Sequence, residues 1–529
     1  MTSSDPRWDA IVIGGGHNGL VAAAMLAKSG RTVIVLEAAD EFGGPARTEE
    51  FAPGFFASVA HVLNRLHPEV VKALELERHE LGLIGDNATG RTPTPPTVVL
   101  SERNGPLTLH GAYGERLTGA TAAEAAAWKD LRAQLLRYAG ILKPFMSRRP
   151  PQIGEFSFVD ASALGSAALS LRRLGKEDMR DFLRMLLMNV ADAADEQLAD
   201  DRLKGLLAFD AVLGSHLGPR SPTSLLGLYY RLAGEAGGLG GAQALPRGGM
   251  GAVIAALVNA AKAAGVALRT DASVARIVVE KGRATGVMLK SGEELRAATI
   301  VSAINPASTF LDLVGPRETD TGFVRTVKAI RMRGDVAKLH LALDRPPAFT
   351  GLKDEALRGR LVIAPSANHV ENAFNPAKYG EFSPRPVMEI TLPSLGDPAL
   401  APAGACVLSA NVQYAPYELK EGWAKGKPKF LKAIMAALEA HAPGIGKSVR
   451  HAELLTPVDI EARYAMPGGH WHHGELQADQ MLMSRPVPGC SGYATPVGEL
   501  FLCGAGSHPG GGISGAPGLN AARAILARR

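Results

Sequence analysis

The sequence predicts an α/β protein in which a βαβ unit is interleaved with an α+β domain, and three features of the chain lead there. Near the start, Ala10 to Leu36 reads as an apolar strand, the glycine turn GGGHNGL (Gly14 to Leu20), an Ala-rich helix and a second strand closed by Glu37. Near the finish, Leu500 to Gly518 reads as another strand, a glycine-dense loop and a terminal helix. Between them, a glycine turn, a helix and strands return at 246–303, flanked by a long helical run and a stretch of sheet pattern. Two glycine loops so far apart in sequence imply one cofactor gripped by both ends of the chain.

The opening unit carries the Rossmann-like dinucleotide fingerprint. Gly14 makes the tight turn, Gly16 admits a pyrophosphate, and Gly19 lets helix and strand pack closely. The helix beginning near Asn18 offers unpaired N–H groups and the positive end of its dipole to a phosphate. Glu37, eighteen residues beyond Gly19, accepts hydrogen bonds from a ribose. These features suit FAD and NAD alike. The segment EFGGPARTEEF (Glu41 to Phe51) favours FAD, because Gly43 and Gly44 let the backbone run beside a ribityl and phosphate portion. Arg47, followed by Thr48, brings a cation to the phosphates.

Phe55 to Glu80 reads as a crossover, residues 85–110 as strands and turns, and Thr121 to Phe145 as a helix followed by helix after helix to about residue 235. Leu164 to Leu232 places apolar residues at helical spacing among Arg and Lys, which reads as core packing, with peripheral membrane contact as the alternative. Gly248, Gly249 and Gly251 precede a helix, Ala252 to Ala264. Val266 to Arg269 follows, then a meander of strands Val274 to Glu280, Ala284 to Leu289 and Glu294 to Ala297, and an apolar strand Thr299 to Ala303. Strands Val336 to Ala342, Val387 to Pro393 and Val407 to Gln413 suggest a mixed sheet, and Lys427 to Ala442 a helix. The chain thus divides into a cofactor domain (1–80, 240–305 and 490–529) and a substrate domain with a helical insertion (81–239 and 306–489). In such an arrangement the site falls at the domain interface.

A 46% apolar and 21% charged composition suits globular cores. The net charge of +5 is small for 529 residues and its cations are scattered, so nucleic acid is not an expected partner. Cys406, Cys490 and Cys503 show no CxxC spacing, which speaks against both a disulfide framework and a thiol redox pair. His470, His472 and His473 cluster in GGHWHHGEL without the spacing of a metal site, so no metal is expected. The polar start MTSSDPRWD carries no targeting pattern and no apolar run reaches membrane-spanning length, so a cytoplasmic location is the expectation.

Taken together, GGGHNGL, GGPART, PRGGMG (Pro246 to Gly251), the stretch Val274 to Pro306 and the HPGGG loop resemble the phytoene desaturase-related branch of the flavin amine oxidase superfamily, across nearly the whole chain. The resemblance implies a GR2-type fold with noncovalent FAD, a backbone contact from Val274 to adenine, and Gly504, Gly506, Gly512 and Ile513 as cofactor neighbours. The helix beginning near Pro517 would direct its dipole to the flavin pyrimidine. RGDVAKLHLALDRPPAF is similar to the strand on which amine oxidases carry a lysine that holds a water beside flavin N5, which makes Lys338 a catalytic candidate; the other reading leaves it on the wet face of an amphipathic strand. His473, near the substrate mouth by resemblance, is an acid–base candidate or a surface-loop residue, and His508 either touches flavin or substrate or packs its own loop.

Three function classes follow. The first transfers hydride between an apolar, isoprenoid or carotenoid-like substrate and flavin N5, with desaturation, saturation or isomerisation. The second is an amine oxidase, favoured by Lys338 and disfavoured by Gly512 where such enzymes set an aromatic side chain against the flavin. The third is a non-catalytic, FAD-containing interaction protein. No second dinucleotide fold is visible, so electrons would pass to oxygen, a quinone or another diffusible acceptor.

Overall fold

A computed structural model describes residues 8–84, 94–146, 148–151 and 158–528. Most of the polar start, and residues 85–93 of the stretch expected to form strands and turns, lie outside the described residues.

The opening strand, Trp8–Ile13, sits inside a seven-stranded sheet because its last four residues are buried and both its edges find parallel partners. Val33–Leu36 pairs on one side and Glu294–Ser302 on the other; Ala267–Arg269 extends the first edge and Leu500–Leu502 lies beside Ile300–Ser302. Strands buried on both faces read as continuous apolar runs, as IVI and VIVL do here. One expectation is corrected: Glu294 to Ala297 and Thr299 to Ala303 are not two strands. They are a single strand, Glu294–Ser302, whose first residues pair antiparallel with Arg283–Leu289 and whose remainder pairs parallel with Trp8–Ile13. The change of partner explains the change of pattern without a break in the backbone.

Three helices cover one face of this sheet. His17–Lys28 packs between Gly251–Ala263 and the terminal helix Ala516–Leu526. The contact with the terminal helix is intimate, since a Cβ at Gly518 would stand 2.2 Å from the Asn18 carbonyl oxygen. First turn therefore meets first turn, and two positive helix ends lie side by side.

The second sheet has eight strands in the order Val449–Leu455, Val336–Leu343, Cys406–Gln413, Val387–Thr391, Arg360–Ile363, Thr97–Val99, Leu107–His110 and Arg116–Thr118. It is mixed: Arg360–Ile363 runs parallel to Thr97–Val99, and the other neighbours are antiparallel. Alternation along the strands sorts side chains to two faces. Leu339, Leu341, Leu408, Ala410 and Ile390 join one apolar core with Phe430, Ile434 and Leu438 of helix Trp423–His441. That helix starts a turn before the expected Lys427 and carries Pro428 inside it. The opposite face holds Lys338, His340, Asn411, Glu389 and Arg360, and these are buried too.

The helical insertion runs from Ala122–Met146 to Leu225–Leu232 and buries Trp128, Tyr138, Phe182, Phe209 and Tyr229 against Val99, Leu107 and Val362 of the sheet. Its outer helices leave Leu164, Leu169, Leu183 and Leu187 exposed. Cys406, Cys490 and Cys503 are free thiols, all buried.

The close approach at Gly518 makes a sharp test. Gly518→Ala should destabilise the protein by roughly 2 kcal/mol or more, because the new methyl meets backbone that cannot yield. Gly140→Ala, in an exposed helical position with open space around it, should instead stabilise it by about 0.5–1 kcal/mol. Urea unfolding of both variants checks the pair.

Candidate active site

Between the two sheets lies a cavity of about 250 Å³. The glycine turn supplies Gly16, Asn18 and Gly19 to its wall; Gly43, the loop from Val59 to Arg65, and the pair Gly512–Ile513 complete that side. Tyr230 and Arg231 of helix Leu225–Leu232, the polar sheet face at Arg360, Glu389 and Asn411, and the loop Trp471–His473 enclose the other.

The glycine turn has the shape that a bound pyrophosphate needs. Gly14 adopts φ +96° and donates its N–H to Leu36 O at 2.8 Å, which ties the start of the turn to the end of the second strand. A Cβ at Gly19 would lie 2.1 Å from the Gly14 carbonyl oxygen, so helix and strand meet at the distance glycine alone permits. Gly16 and Gly44 differ, for a Cβ at either would meet nothing within 4 Å. Helix His17–Lys28 begins without a side-chain cap or an acidic residue in its first turn, and the Asn18 side-chain oxygen has no partner among the described residues. Open space, an uncapped helix N-terminus and a second one beside it fit the phosphates of FAD.

Other expected cofactor residues support the cradle from behind. Glu37 accepts the N–H groups of Gly15 at 2.7 Å and Ala39 at 2.9 Å, tying the turn to the end of the second strand. The Arg47 guanidinium faces Glu49 at 2.8 Å and Asp40 at 3.4 Å and does not line the cavity. Thr48 Oγ1 accepts the Gly251 N–H at 2.9 Å and bonds Ser58, fastening one glycine turn to another. Val274 starts its strand opposite Leu289. A Cβ at Gly504 would stand 2.5 Å from Ala303 O, and one at Gly506 2.5 Å from the Pro306 ring, so these glycines let the final loop lie against the chain after the long strand. Gly512 at φ +105° and Ile513 at φ +35° turn the last loop into the cavity wall.

Lys338 is 1% exposed, which rules out the wet-face reading. Its Nζ lies 2.6 Å from His61 Nδ1 and donates to Asn411 Oδ1 at 3.2 Å; His61 and Asn411 line the cavity. Burial lowers the ammonium to about 7, against the opposing pull of Glu389. Burial, with Lys338 and Arg360 nearby, keeps His61 neutral. His473 lines the cavity and is pushed down to about 3 by burial, then by His470 and Arg485, so it works as a neutral imidazole. His508 is lowered to about 4 by burial, its Nε2 lies 2.6 Å from the Phe145 carbonyl oxygen, and it is absent from the cavity lining. His470, placed with His473 in the same loop, instead faces Glu475 at 3.7 Å. Arg485 holds this loop together through the carbonyls of His472, Gly474, Glu475, Gln480 and Ala505. Among the described residues no group of three or more His, Cys, Asp or Glu is placed to hold a metal ion.

Sequence reasoning missed much of the polar wall: His61, Arg65, Asp210, Arg231, Arg360, Glu389 and Asn411. A signal existed. VAKLHLAL, VMEIT and CVLSANVQ each carry polar residues at alternate positions of an apolar strand. His17 fills an unspecified position of the GxGxxG pattern and carried no signal.

The family described as flavin containing amine oxidoreductase matches residues 19–526 of this chain. Pyridine nucleotide-disulfide oxidoreductase domain-containing protein 2 of Rattus norvegicus is 34% identical, covering 98% of this chain and 94% of its own. One of the subunits of limonene dehydrogenase from Castellaniella defragrans is 26% identical over 98% of this chain and 94% of its own. Among solved structures, cyclohexylamine oxidase of Brevibacterium oxydans superposes with a TM-score of 0.59 at 17% identity, covering 99% of this chain and all of that one, which shows the shared fold. The cofactor is FAD.

Two outcomes follow from the site. Gly16→Ala, allowed by its backbone but filling the open space, should weaken FAD retention about tenfold or more while leaving unfolding of the apoprotein nearly unchanged; dialysis against free FAD measures it. Between pH 7 and 10 the unfolded chain protonates a lysine that the fold leaves neutral, so wild-type stability should rise with pH relative to Lys338→Met. The difference should grow by up to about 1.4 kcal/mol per pH unit. Urea unfolding at several pH values reads the slope.

Proposed function

Because this chain belongs to the flavin-containing amine oxidoreductases, we propose that it is an FAD-dependent oxidoreductase acting on an apolar, isoprenoid or carotenoid-like substrate, by desaturation, saturation or isomerisation. The observation that carries the substrate class is the cavity wall, where Val59, Leu213, Met466, Trp471 and Leu476 give a mostly apolar surface beside the glycine turn. A relative along nearly the whole chain is named for limonene, an isoprenoid hydrocarbon, which supports the same class.

Bound noncovalently, FAD supplies the two-electron carrier. The protein's own groups bind, orient and handle protons. Lys338, with an ionisation near 7, holds or releases a proton at Nζ while His61 Nδ1 hydrogen-bonds it at 2.6 Å. When Lys338 is an ammonium, His61 Nδ1 accepts and its Nε2–H is left buried without a partner among the described residues. His473, neutral throughout the physiological range, orients substrate by hydrogen bonding. Outside the lining, His508 positions the last loop against Phe145.

Electrons leave to oxygen, a quinone or another diffusible acceptor. Among the described residues no helix is long and apolar enough to cross a membrane. The exposed leucines at 164, 169, 183 and 187 are the surface through which a cytoplasmic protein of this kind would touch a membrane holding an apolar substrate. The amine oxidase reading rests on Lys338 and remains the second reading.

Purified protein should be yellow and release free FAD on heating. In the desaturation direction, anaerobic mixing with terpenes or polyenes should bleach the oxidised flavin, and in the saturation direction the same compounds should reoxidise the reduced flavin, whereas primary amines should do neither; bleaching by amines alone would sink the substrate class. Lys338→Met should slow the productive half-reaction by about tenfold or more, within the range of a lost acid–base group, and an unchanged stopped-flow rate removes Lys338 from the chemistry.

A further inference from the structure

Resting on the FAD-dependent oxidoreductase reading above, we propose that Arg65 tunes the bound flavin: its fixed positive charge, which no carboxylate among the described residues neutralises, favours the negative charge that the ring acquires on reduction. The cavity is the place for that ring. It starts at Gly16 and Asn18, where the phosphates fit, while Glu37, on the ribose side of the fingerprint, is not in its wall. The half of FAD beyond the phosphates therefore occupies it, beside Gly512 and Ile513.

Arg65 stands in this wall and is 7% exposed. A Cβ at Gly512 would lie 3.2 Å from its Cδ, so the glycine leaves room for the arginine where the last loop turns into the cavity. The guanidinium stacks on the Tyr230 ring, its carbon 3.3 Å from the centroid. Tyr230 in turn donates its hydroxyl to Gly511 O at 2.8 Å, and Arg65 Nη2 reaches Met146 Sδ at 3.8 Å. The charge is thus fixed against the cofactor loop by an aromatic face and a thioether, both neutral.

The other charges of the wall are matched. Arg231 and Arg360 face Asp210 at 3.5 and 2.6 Å, and Arg360 also faces Glu389 at 2.6 Å, so two guanidiniums meet two carboxylates. Burial keeps His17, His61, His472 and His473 neutral. Among the described lining residues Arg65 alone carries a charge with no opposite charge beside it; burial lowers its ionisation, yet a guanidinium stays protonated at neutral pH. A lone buried cation is costly, and an anion formed near it offsets that cost. Its Nε and Nη1 are covered by protein, so Arg65 acts on the ring through its field and not by a hydrogen bond from those atoms. Within a dry wall such a field is weakly screened. The answering charge is made in the reaction. Two electrons and one proton, delivered to N5 as hydride from a substrate C–H bond, turn a neutral ring into an anionic one.

The test compares FAD-loaded wild type with Arg65→Met and Arg65→Lys and needs no hydrocarbon. Anaerobic reduction by xanthine and xanthine oxidase beside a reference dye gives the two-electron midpoint, and equilibrium dialysis gives the dissociation constant of oxidised FAD. Arg65→Met should move the reduced-to-oxidised ratio about tenfold toward oxidised, a midpoint lower by about 30 mV. Sulfite addition at N5, which also leaves the ring anionic, should weaken by about tenfold. Arg65→Lys should keep most of both, and each variant should retain oxidised FAD within about threefold. An unchanged midpoint in Arg65→Met, or a drop in Arg65→Lys as large as in Arg65→Met, overturns the assignment. Loss of FAD binding with no change of midpoint also overturns it, by giving Arg65 to the phosphates. If the variants do not fold, wild type decides: its midpoint should lie above that of free FAD in the same buffer, and one at or below it overturns the proposal. The two readings fail separately, since a protein whose midpoint depends on Arg65 but whose flavin exchanges electrons with no hydrocarbon loses the proposed substrate and keeps this role.

Discussion

The polar face of the eight-stranded sheet is buried, and the rest of the site depends on how that burden is met. Taking charges out of water is costly unless each is paired and hydrogen-bonded. Here the pairing runs in a line, from Lys338 to Asn411, Glu389, Arg360 and Asp210, across four strands and a helix. Register makes the first steps possible, because Lys338 stands opposite Asn411 and Asn411 opposite Glu389 on neighbouring strands. An apolar sheet face would pack more simply, but it would leave the cavity without a proton-handling group. The same burial that demands partners also brings the lysine's ionisation close to neutrality.

The nucleotide side is governed by a different constraint, the approach of backbone to backbone. Gly19 against Gly14 and Gly518 against Asn18 bring the opening helix within reach of the first strand and of the terminal helix. Two positive helix ends are thereby placed together, an arrangement that an anionic ligand relieves. Gly16 and Gly44 serve the opposite purpose, since space rather than contact surrounds them. Glycine at one position removes a clash inside the protein, and at another it keeps room for what the protein binds.

The two halves were legible to different degrees. The glycine turn, the acidic residue after the second strand and the closing loop are local patterns, and the structure places their residues at or directly behind the cavity wall. The long strand Glu294–Ser302 read as two because pattern reports the local environment, and that environment changes where the strand exchanges one partner for another. Arg47, expected to bring a cation to the phosphates, pairs with Glu49 and Asp40, two neighbours in its own segment. Lys338 was visible through resemblance, while its companions His61 and Asn411 were not, since each is an ordinary residue until the chain brings it within hydrogen-bonding distance.

By itself, then, the amino-acid sequence determined the α/β class, the interleaving of two sheets and the glycine geometry for FAD, because these rest on short-range sterics and on hydrophobic periods a few residues long. Tertiary structure alone decided which polar residues are buried and with whom. Alternation in a strand such as VAKLHLAL states that Lys338 and His340 share a face. Whether that face meets water or the heart of the protein depends on segments hundreds of residues away, and so does the charge that the lysine carries.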